Sequence, residues 1–399
     1  MPFLQNPDRS PVELFLSRDL VRSLKRGHPW VFADALRKLP VAPGPSPAIL
    51  RERSGREIAK GFYTPDSTLA FRACITEPSV ALNDAWVKQR MQRALELRRA
   101  LLPERTTGYR LFNGEGDGLP GLVCDVYGDS AVIKPDGPGP AGFWDTTGVA
   151  EWVTEQLGLA RVYLRHRVRG GAEGQPLVGD APTGPVPFEE HGLCFTADLV
   201  SGQKTGFFLD MRDNRHRVAQ LAAGRRVVNL FGYTGGFSVH AGAGGATHVT
   251  TVDVAAPAIA AAEDHWRLND LPTDQHTGVV TDAFEWLDEA YAQRRTWDLV
   301  ILDPPSFASS RATIPKALAA YRRLVASGAA ITAPGGLLCA GSCSSHVDMQ
   351  AFVGACGEGM GKARLPATVL GIHGQPFDHP SPLAFPEGRY LKFVVLRVG

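Results

Sequence analysis

The stretch Trp297-Asp298-Leu299-Val300-Ile301-Leu302-Asp303-Pro304-Pro305-Ser306-Phe307 constrains the fold more than any other. It reads as an apolar strand that ends on a carboxylate, two prolines and an aromatic residue. Proline lacks the N–H that a sheet ladder needs, so it cannot continue a central strand. The chain therefore leaves the sheet at Asp303 and presents that carboxylate at a strand's C-terminal edge. Open α/β sheets bind their ligands at that edge. An Asp-Pro turn alone is also ordinary turn chemistry, so the meaning of this one depends on its neighbours.

Those neighbours alternate. From Phe188 onward the pattern predicts strands at Arg226–Phe231, His248–Val254, Val279–Asp282, Trp297–Asp303, Gly336–Ser342 and Tyr390–Val398. Between them it predicts helices at Phe237–Gly244, Pro257–Asn269, Phe284–Arg294, Ile314–Ala329 and Asp348–Met360. Alternating βα units imply a mostly parallel sheet wrapped by helices. The last strand follows the Pro-rich connection Phe377–Pro386 and is expected to run antiparallel. At 399 residues the chain is too long for one ordinary core. Residues 1–75, with short apolar runs punctuated by Gly and Pro, read as a small β-rich barrel. Residues 76–187 read as a central α+β domain: a helix from Asn83 to Leu102, then hairpin-like elements around Arg110–Tyr127 and Arg161–Arg169. Gly170–Pro187 reads as a linker or long loop. Residues 188–399 form the α/β domain.

Within the α/β part, three further strand ends carry ligand chemistry. Val227–Phe231 runs into Gly232-Tyr233-Thr234-Gly235-Gly236, a loop whose glycines let backbone approach a ligand at a helix N-terminus. About 20 residues on, Asp253 closes the next strand, where a carboxylate can accept from a ribose diol. Asp282, followed by Ala283 and Phe284, closes the third and suits an adenine. Neither G-x-G-x-x-G nor a P-loop occurs, so dinucleotide and triphosphate readings weaken.

This order of motifs resembles a class I S-adenosylmethionine-dependent methyltransferase, with a Rossmann-like, mostly parallel seven-stranded sheet, over residues 190–399. The resemblance extends further. Ser201–Arg215 and Asn229–Phe237 are similar to the segments before and at the cofactor loop of bacterial large-subunit (23S) ribosomal RNA methyltransferases. Asn113–Leu122 resembles the hairpin they carry upstream, and Gly27–Phe32 the start of their PUA domain, a small RNA-binding barrel. It points to the cytosine-5 enzymes that use one catalytic cysteine. It implies S-adenosylmethionine as cofactor, held by Lys204, Thr205, Phe208, Asn229, Phe231, Tyr233, Thr234, Gly235, Gly236, Asp253, Asp282, Ala283, Asp303 and Pro304.

The chemistry agrees. Cytosine C5 is a poor nucleophile until a thiolate adds to C6, so a cysteine must lie near the methyl donor. Cys343 ends the strand after the Asp303 unit, whereas Cys339 sits earlier in the apolar run and reads as core. Asp303 fits as the partner of cytosine N3. Two-cysteine enzymes of this chemistry carry Cys just after the double proline; here that residue is Ser306, which leaves the acceptor of the C5 proton open. Related guanine-7 enzymes share the Lys204–Arg215 and Tyr233 segments but lack the late cysteine.

Charge points to RNA. Residues 1–110 hold 19 basic and 11 acidic residues, against 23 and 30 in the remainder. Lys88–Arg99 and the alternating Arg161, Arg165, Arg167 and Arg169 are candidate backbone contacts, with Lys88, Arg165, Arg167 and Arg169 named as RNA-binding. The expected partner is 23S ribosomal RNA or a large-subunit assembly intermediate. No apolar run approaches the ~18 residues of a membrane span. The six cysteines are scattered, and Cys339, Cys343 and His346 lack a fourth ligand, so no metal is expected and a reducing cytoplasm is. Whether the enzyme dimerises stays open. The alternatives are a ribosomal RNA methyltransferase acting on guanine, a non-catalytic RNA-binding assembly factor, and a methyltransferase for small molecules or proteins, against which the PUA-like segment argues.

Overall fold

The computed structural model describes residues 1–168, 171–308 and 310–399. The chain divides into two compact units. The first comprises residues 1–190, 196–209 and 377–388, and the second residues 191–195, 210–376 and 389–399.

The first unit carries two five-stranded sheets. In one, the strands run in the order Val12–Phe15, Ser46–Arg51, Glu57–Tyr63, Leu69–Ile75, Trp30–Phe32. Ser46–Arg51 alternates buried and half-buried residues strictly, the period of a strand with one face on a core. Leu14, Val31, Leu50, Tyr63 and Phe71 fill that core. A helix, Asp84–Leu101, follows. Asn83 caps it, its side chain accepting from the Trp86 amide, and Trp86, Val87, Met91, Ala94, Leu95 and Arg98 form its buried face.

The second sheet runs Gly171–Val178, Arg161–Val168, Ser130–Pro135, Leu122–Tyr127, Gly108–Asn113. Ser130–Pro135 and Arg161–Val168 pair in parallel through a connection that contains the helix Thr146–Leu157. Asp145 caps that helix and Gly158, at φ 65°, ends it. One expectation is corrected here. Much of the segment read as a linker is the strand Gly171–Val178, paired antiparallel with Arg161–Val168. Its Gly and Pro hid it, as both do on an edge strand. Pro138–Phe143 is a short helix opened by Pro138, the position where proline's missing N–H costs nothing.

The second unit is one seven-stranded sheet: β1 (Arg226–Leu230), β2 (His248–Asp253), β3 (His276–Val280), β4 (Trp297–Leu302), β5 (Thr332–Ser342), β6 (Ala367–His373) and β7 (Lys392–Val398), in the order β3-β2-β1-β4-β5-β7-β6. β1 to β5 are parallel; β7 is antiparallel to both β5 and β6. The helices are α1 (Arg212–Ala222), α2 (Gly236–Ala243), α3 (Ala256–Leu268), α4 (Ala283–Ala292), α5 (Ile314–Ala330) and α6 (Met349–Ala363). Both sheet faces are covered, so the central strands are mostly apolar. Val228, Leu230, Val300, Leu302 and Leu338 join one core; Val227, Leu299, Ile301, Leu337 and Cys339 join the other. β6 escaped the sequence reading because its pattern is mostly exposed, as an edge strand's can be. No helix among the described residues is long and apolar enough to cross a membrane.

Candidate active site

β1 and β4 are neighbours from which the strand order runs outward in both directions, so a crevice opens at their C-terminal ends. The loop after β1 fills one side of it. Phe231 and Tyr233 hold φ of 60° and 46°, a left-handed conformation that costs non-glycine residues energy and clusters at ligand sites. A Cβ at Gly232 would lie 2.5 Å from Thr251 Cγ2, and one at Gly235 2.7 Å from Ala262 Cβ. Only glycine lets this loop settle between β2 and α3. α2 then begins at Gly236 with no side-chain cap.

Asp253, at the end of β2, braces that loop. One carboxylate oxygen accepts the Tyr233 amide at 2.9 Å, the other the Ala255 amide at 2.9 Å. Each oxygen keeps a second acceptor position. Asp282 caps α4, accepting from Phe284 and Glu285, so it stands just beyond β3, which ends at Val280. Ala283 is buried behind it. Phe231 and Phe284 stand edge to face at 6.1 Å. Asn229 is 1% exposed. Its amide donates to Ser238, Ser238 meets Thr251, and Thr251 meets His276, at 2.9, 2.7 and 2.7 Å. That chain ties β1, α2, β2 and β3 together behind the loop. Burial and His248 push His276 down to about 4, so the network is neutral.

At β4, Asp303 is half-buried and Pro304 buried. A Cβ at Gly341 of β5 would lie 2.7 Å from Asp303 Oδ1; glycine there lets the carboxylate rest against β5. Two residues later, Cys343 is half-buried just past the end of β5. Cys339 is fully buried, and burial pushes its thiol up to about 12. Ser344 ties the two loops. Its hydroxyl accepts from Phe307 and Ala308 at 3.1 and 3.3 Å and meets Ser306 and Tyr321 at 3.1 and 2.8 Å.

Sequence reasoning missed Ser344, Tyr321 and Lys392. Lys392 is 1% exposed, with its ammonium donating to the Ser344 and Tyr390 carbonyls at 2.6 and 2.8 Å. Burial pushes it down to about 8, opposed by negative charge at Cys343 and Asp348. The available signal was a lysine opening the buried run Phe393–Leu396.

The remaining candidates belong to the first unit. Thr205 is 1% exposed and donates to Asp125 at 2.6 Å, beside the Tyr127 hydroxyl at 2.9 Å. The Lys204 ammonium lies 4.4 Å from the centre of the Phe208 ring. Lys88 is exposed on its helix. Arg165 is corrected as a surface contact: it is 4% exposed and donates to the Gly202 carbonyl at 2.8 Å, so its charge is used inside the unit. The backbone of Arg167 lies in the strand Arg161–Val168. Arg169 lies outside the described residues.

The S-adenosylmethionine-dependent methyltransferase family matches residues 144–352, and a PUA-like domain matches residues 14–74. This chain belongs to the S-adenosylmethionine-dependent methyltransferase family. Its fold is the class I Rossmann-like fold with an N-terminal PUA-like domain, and its methyl donor is S-adenosylmethionine. The chain is 37% identical to a "Ribosomal RNA large subunit methyltransferase" of Deinococcus radiodurans, over 97% of each chain. It is 33% identical to a "Ribosomal RNA large subunit methyltransferase I" of Shewanella denitrificans, over 94% of this chain and 97% of the relative. A solved SAM-dependent methyltransferase from Streptococcus mutans matches 97% of the chain with a TM-score of 0.84 at 26% identity, over its whole length. A solved methyltransferase complexed with SAH gives 0.86 at 26% identity, with 97% of this chain and 100% of that one covered.

The residues of the second unit fit that donor. The glycine loop admits backbone contact, the Thr234 hydroxyl is buried with no hydrogen-bond partner, and Asp253 retains acceptor capacity for a diol. Asp253→Ala is expected to weaken S-adenosylmethionine binding by about 1–3 kcal/mol. Titration calorimetry on the folded variant reads this; unchanged affinity removes Asp253 from the site.

Proposed function

We propose that this protein methylates C5 of a cytidine in large-subunit (23S) ribosomal RNA, in the cytoplasm, through a covalent adduct between Cys343 and cytosine C6. The observation that carries the reading is a half-buried Cys343 two residues beyond Gly341, against which Asp303 lies. Thiol and carboxylate thus leave adjacent strands at the ligand-binding edge. The names of the relatives support ribosomal RNA as the substrate.

S-adenosylmethionine, when bound, supplies an electrophilic methyl group. The protein's part is to make C5 nucleophilic. The Cys343 thiolate adds to C6, and the C5–C6 π pair moves toward C5. Asp303, hydrogen-bonded at N3, favours the protonated ring as that charge develops. After methylation the C5 proton passes to water, its electron pair restores the C5–C6 double bond, and the C6–S bond breaks to release the thiolate. A stacked cytosine cannot offer C6 to a thiol, so the target is single-stranded or flipped out. Methylation mapping of ribosomal RNA at single-nucleotide resolution, in cells with and without the protein, tests the reading. Loss of one 5-methylcytosine supports it. Loss of a methylguanine instead would support the guanine alternative, and no loss with retained RNA binding would support an assembly factor.

The helix Asp84–Leu101 is the RNA contact we favour. Lys88 and Arg93 are exposed, and Arg90, whose guanidinium stacks over Trp86 at 5.3 Å, has a buried Nε with no partner. None of the three forms an ion pair among the described residues. Replacing all three by Ala should weaken RNA binding and leave cofactor affinity intact. Each lost phosphate contact should lower the log–log salt slope by roughly 0.7–0.9. An unchanged slope assigns them to a solvated surface.

A further inference from the structure

Cys343 is bracketed by one side chain from the neighbouring antiparallel strand. Lys392 opens β7 and is the register partner of Ser342, the last residue of β5. Its ammonium donates to the carbonyl of Ser344 at 2.6 Å. The same lysine thus faces the residue before Cys343 and binds the residue after it. It is buried, where an ammonium is costly unless a negative group compensates it. Both of its hydrogen-bond acceptors, Ser344 and Tyr390, are neutral carbonyls.

Charged and titratable groups stand on several of the elements around it. Tyr321 of α5 reaches Ser344 at 2.8 Å, and burial raises its hydroxyl above the usual range. Asp348, ahead of α6, is exposed, and its side chain accepts the Ala351 amide. Asp303, after β4, lies against Gly341. His346 is exposed. Negative charge at Cys343 acts on Lys392 more strongly than Asp348 does.

We infer that Lys392 is the positioning residue and counter-ion of Cys343: it holds the Ser342-Cys343-Ser344 turn and stabilises the thiolate that attacks cytosine. The inference rests on the covalent reading above and supplies the activation that reading requires. The thiol proton passes to solvent, leaving a thiolate beside an ammonium that stays protonated. The sulfur lone pair then forms the S–C6 bond, and Lys392 is unchanged at the end of the cycle. An adjacent cation is a general means of making a cysteine nucleophilic.

The test uses the full-length protein without RNA. Iodoacetamide alkylation of Cys343 is followed against pH by peptide mass spectrometry in wild type, Lys392→Gln and Lys392→Arg. Gln keeps a donor for the Ser344 carbonyl and removes the charge; Arg keeps the charge. In Lys392→Gln the alkylation midpoint should rise by about one pH unit, with about tenfold slower alkylation near neutral pH. In Lys392→Arg it should stay near the wild-type value. Coincident midpoints in wild type and Lys392→Gln would overturn the inference and reduce Lys392 to a prop for the turn. Unchanged cofactor affinity checks that the variants are folded. Should Lys392→Gln not fold, the reciprocal measurement decides: the isotope-labelled Lys392 Nζ resonance should titrate lower in Cys343→Ala than in wild type, and an unchanged titration overturns the pairing. Neither readout involves methyl transfer. Failure of the covalent reading, seen as methylation by Cys343→Ala, is therefore separate from failure of the ion pair.

Discussion

Cys343→Ala is expected to abolish 5-methylcytosine formation while binding S-adenosylmethionine and RNA as the wild type does. In the proposed mechanism C5 gains its nucleophilicity only from that thiolate, so the loss should be complete rather than partial. Substrate RNA carrying 5-fluorocytosine should trap the wild-type enzyme after methyl transfer, because fluorine cannot leave as the C5 proton does. The adduct should map to a single peptide containing Cys343. Cys339 is the internal control. It is fully buried in the core that also holds Leu299, Ile301 and Phe393. Burial disfavours its thiolate, so Cys339→Ala should methylate RNA, with only the stability cost of a small cavity. Near wild-type methylation by Cys343→Ala would remove the covalent mechanism and favour transfer to guanine N7 or an exocyclic amine, which needs no thiol.

The contrast between those two cysteines shows what a sequence can carry. The apolar run holds Cys339 inside the strand and ends before Cys343, so their positions separate without coordinates. Gly232–Gly236, Asp253 and Asp303 likewise stand at the ends of predicted strands, and Asp282 stands two residues beyond the end of β3. The parallel sense of β1 to β5 follows from alternating βα units; their order does not. What the sequence hides is partnership across the fold. Ser344 looks like any serine in a polar loop, yet its hydroxyl meets four residues from β4's loop and α5. Asn229 looks like a ligand residue in a cofactor loop, and its amide is engaged with Ser238. Arg165 alternates with apolar residues as a surface strand's arginine would, and is buried. Side-chain period reports which face a residue occupies. It is silent on whether that face meets solvent or another part of the chain.

Arg98 is the sharpest instance of this, and its removal should be the most destabilising substitution in the first unit. On the helix Asp84–Leu101 it belongs to a basic run that reads as an RNA-facing surface. In the structure it has 0% exposure. Its guanidinium forms a two-pronged pair with Asp117, at 2.6 and 2.8 Å, and also donates to the carbonyls of Arg110 and Asp378, at 2.9 and 2.8 Å. Asp117 in turn accepts the Asn113 amide at 2.6 Å, at the turn between Gly108–Asn113 and Leu122–Tyr127. Arg98→Met keeps the apolar stem and deletes every donor, removing the ion pair from a buried carboxylate and one hydrogen bond from each of two carbonyls. Breaking a buried pair from one side costs about 3–5 kcal/mol, a large fraction of the 5–15 kcal/mol that holds a typical domain together. Denaturant unfolding should show that loss. Arg98→Lys should recover part of it, because an ammonium can meet Asp117 but cannot reproduce the planar fork. The double variant Arg98→Met with Asp117→Leu should recover more than Arg98→Met alone, since it removes the orphaned charge. Its stability below that of the single variant would show that the carboxylate, through Asn113, carries the turn by itself. A cost under about 1 kcal/mol for Arg98→Met would place the pair with solvent-exposed bridges, at odds with its burial.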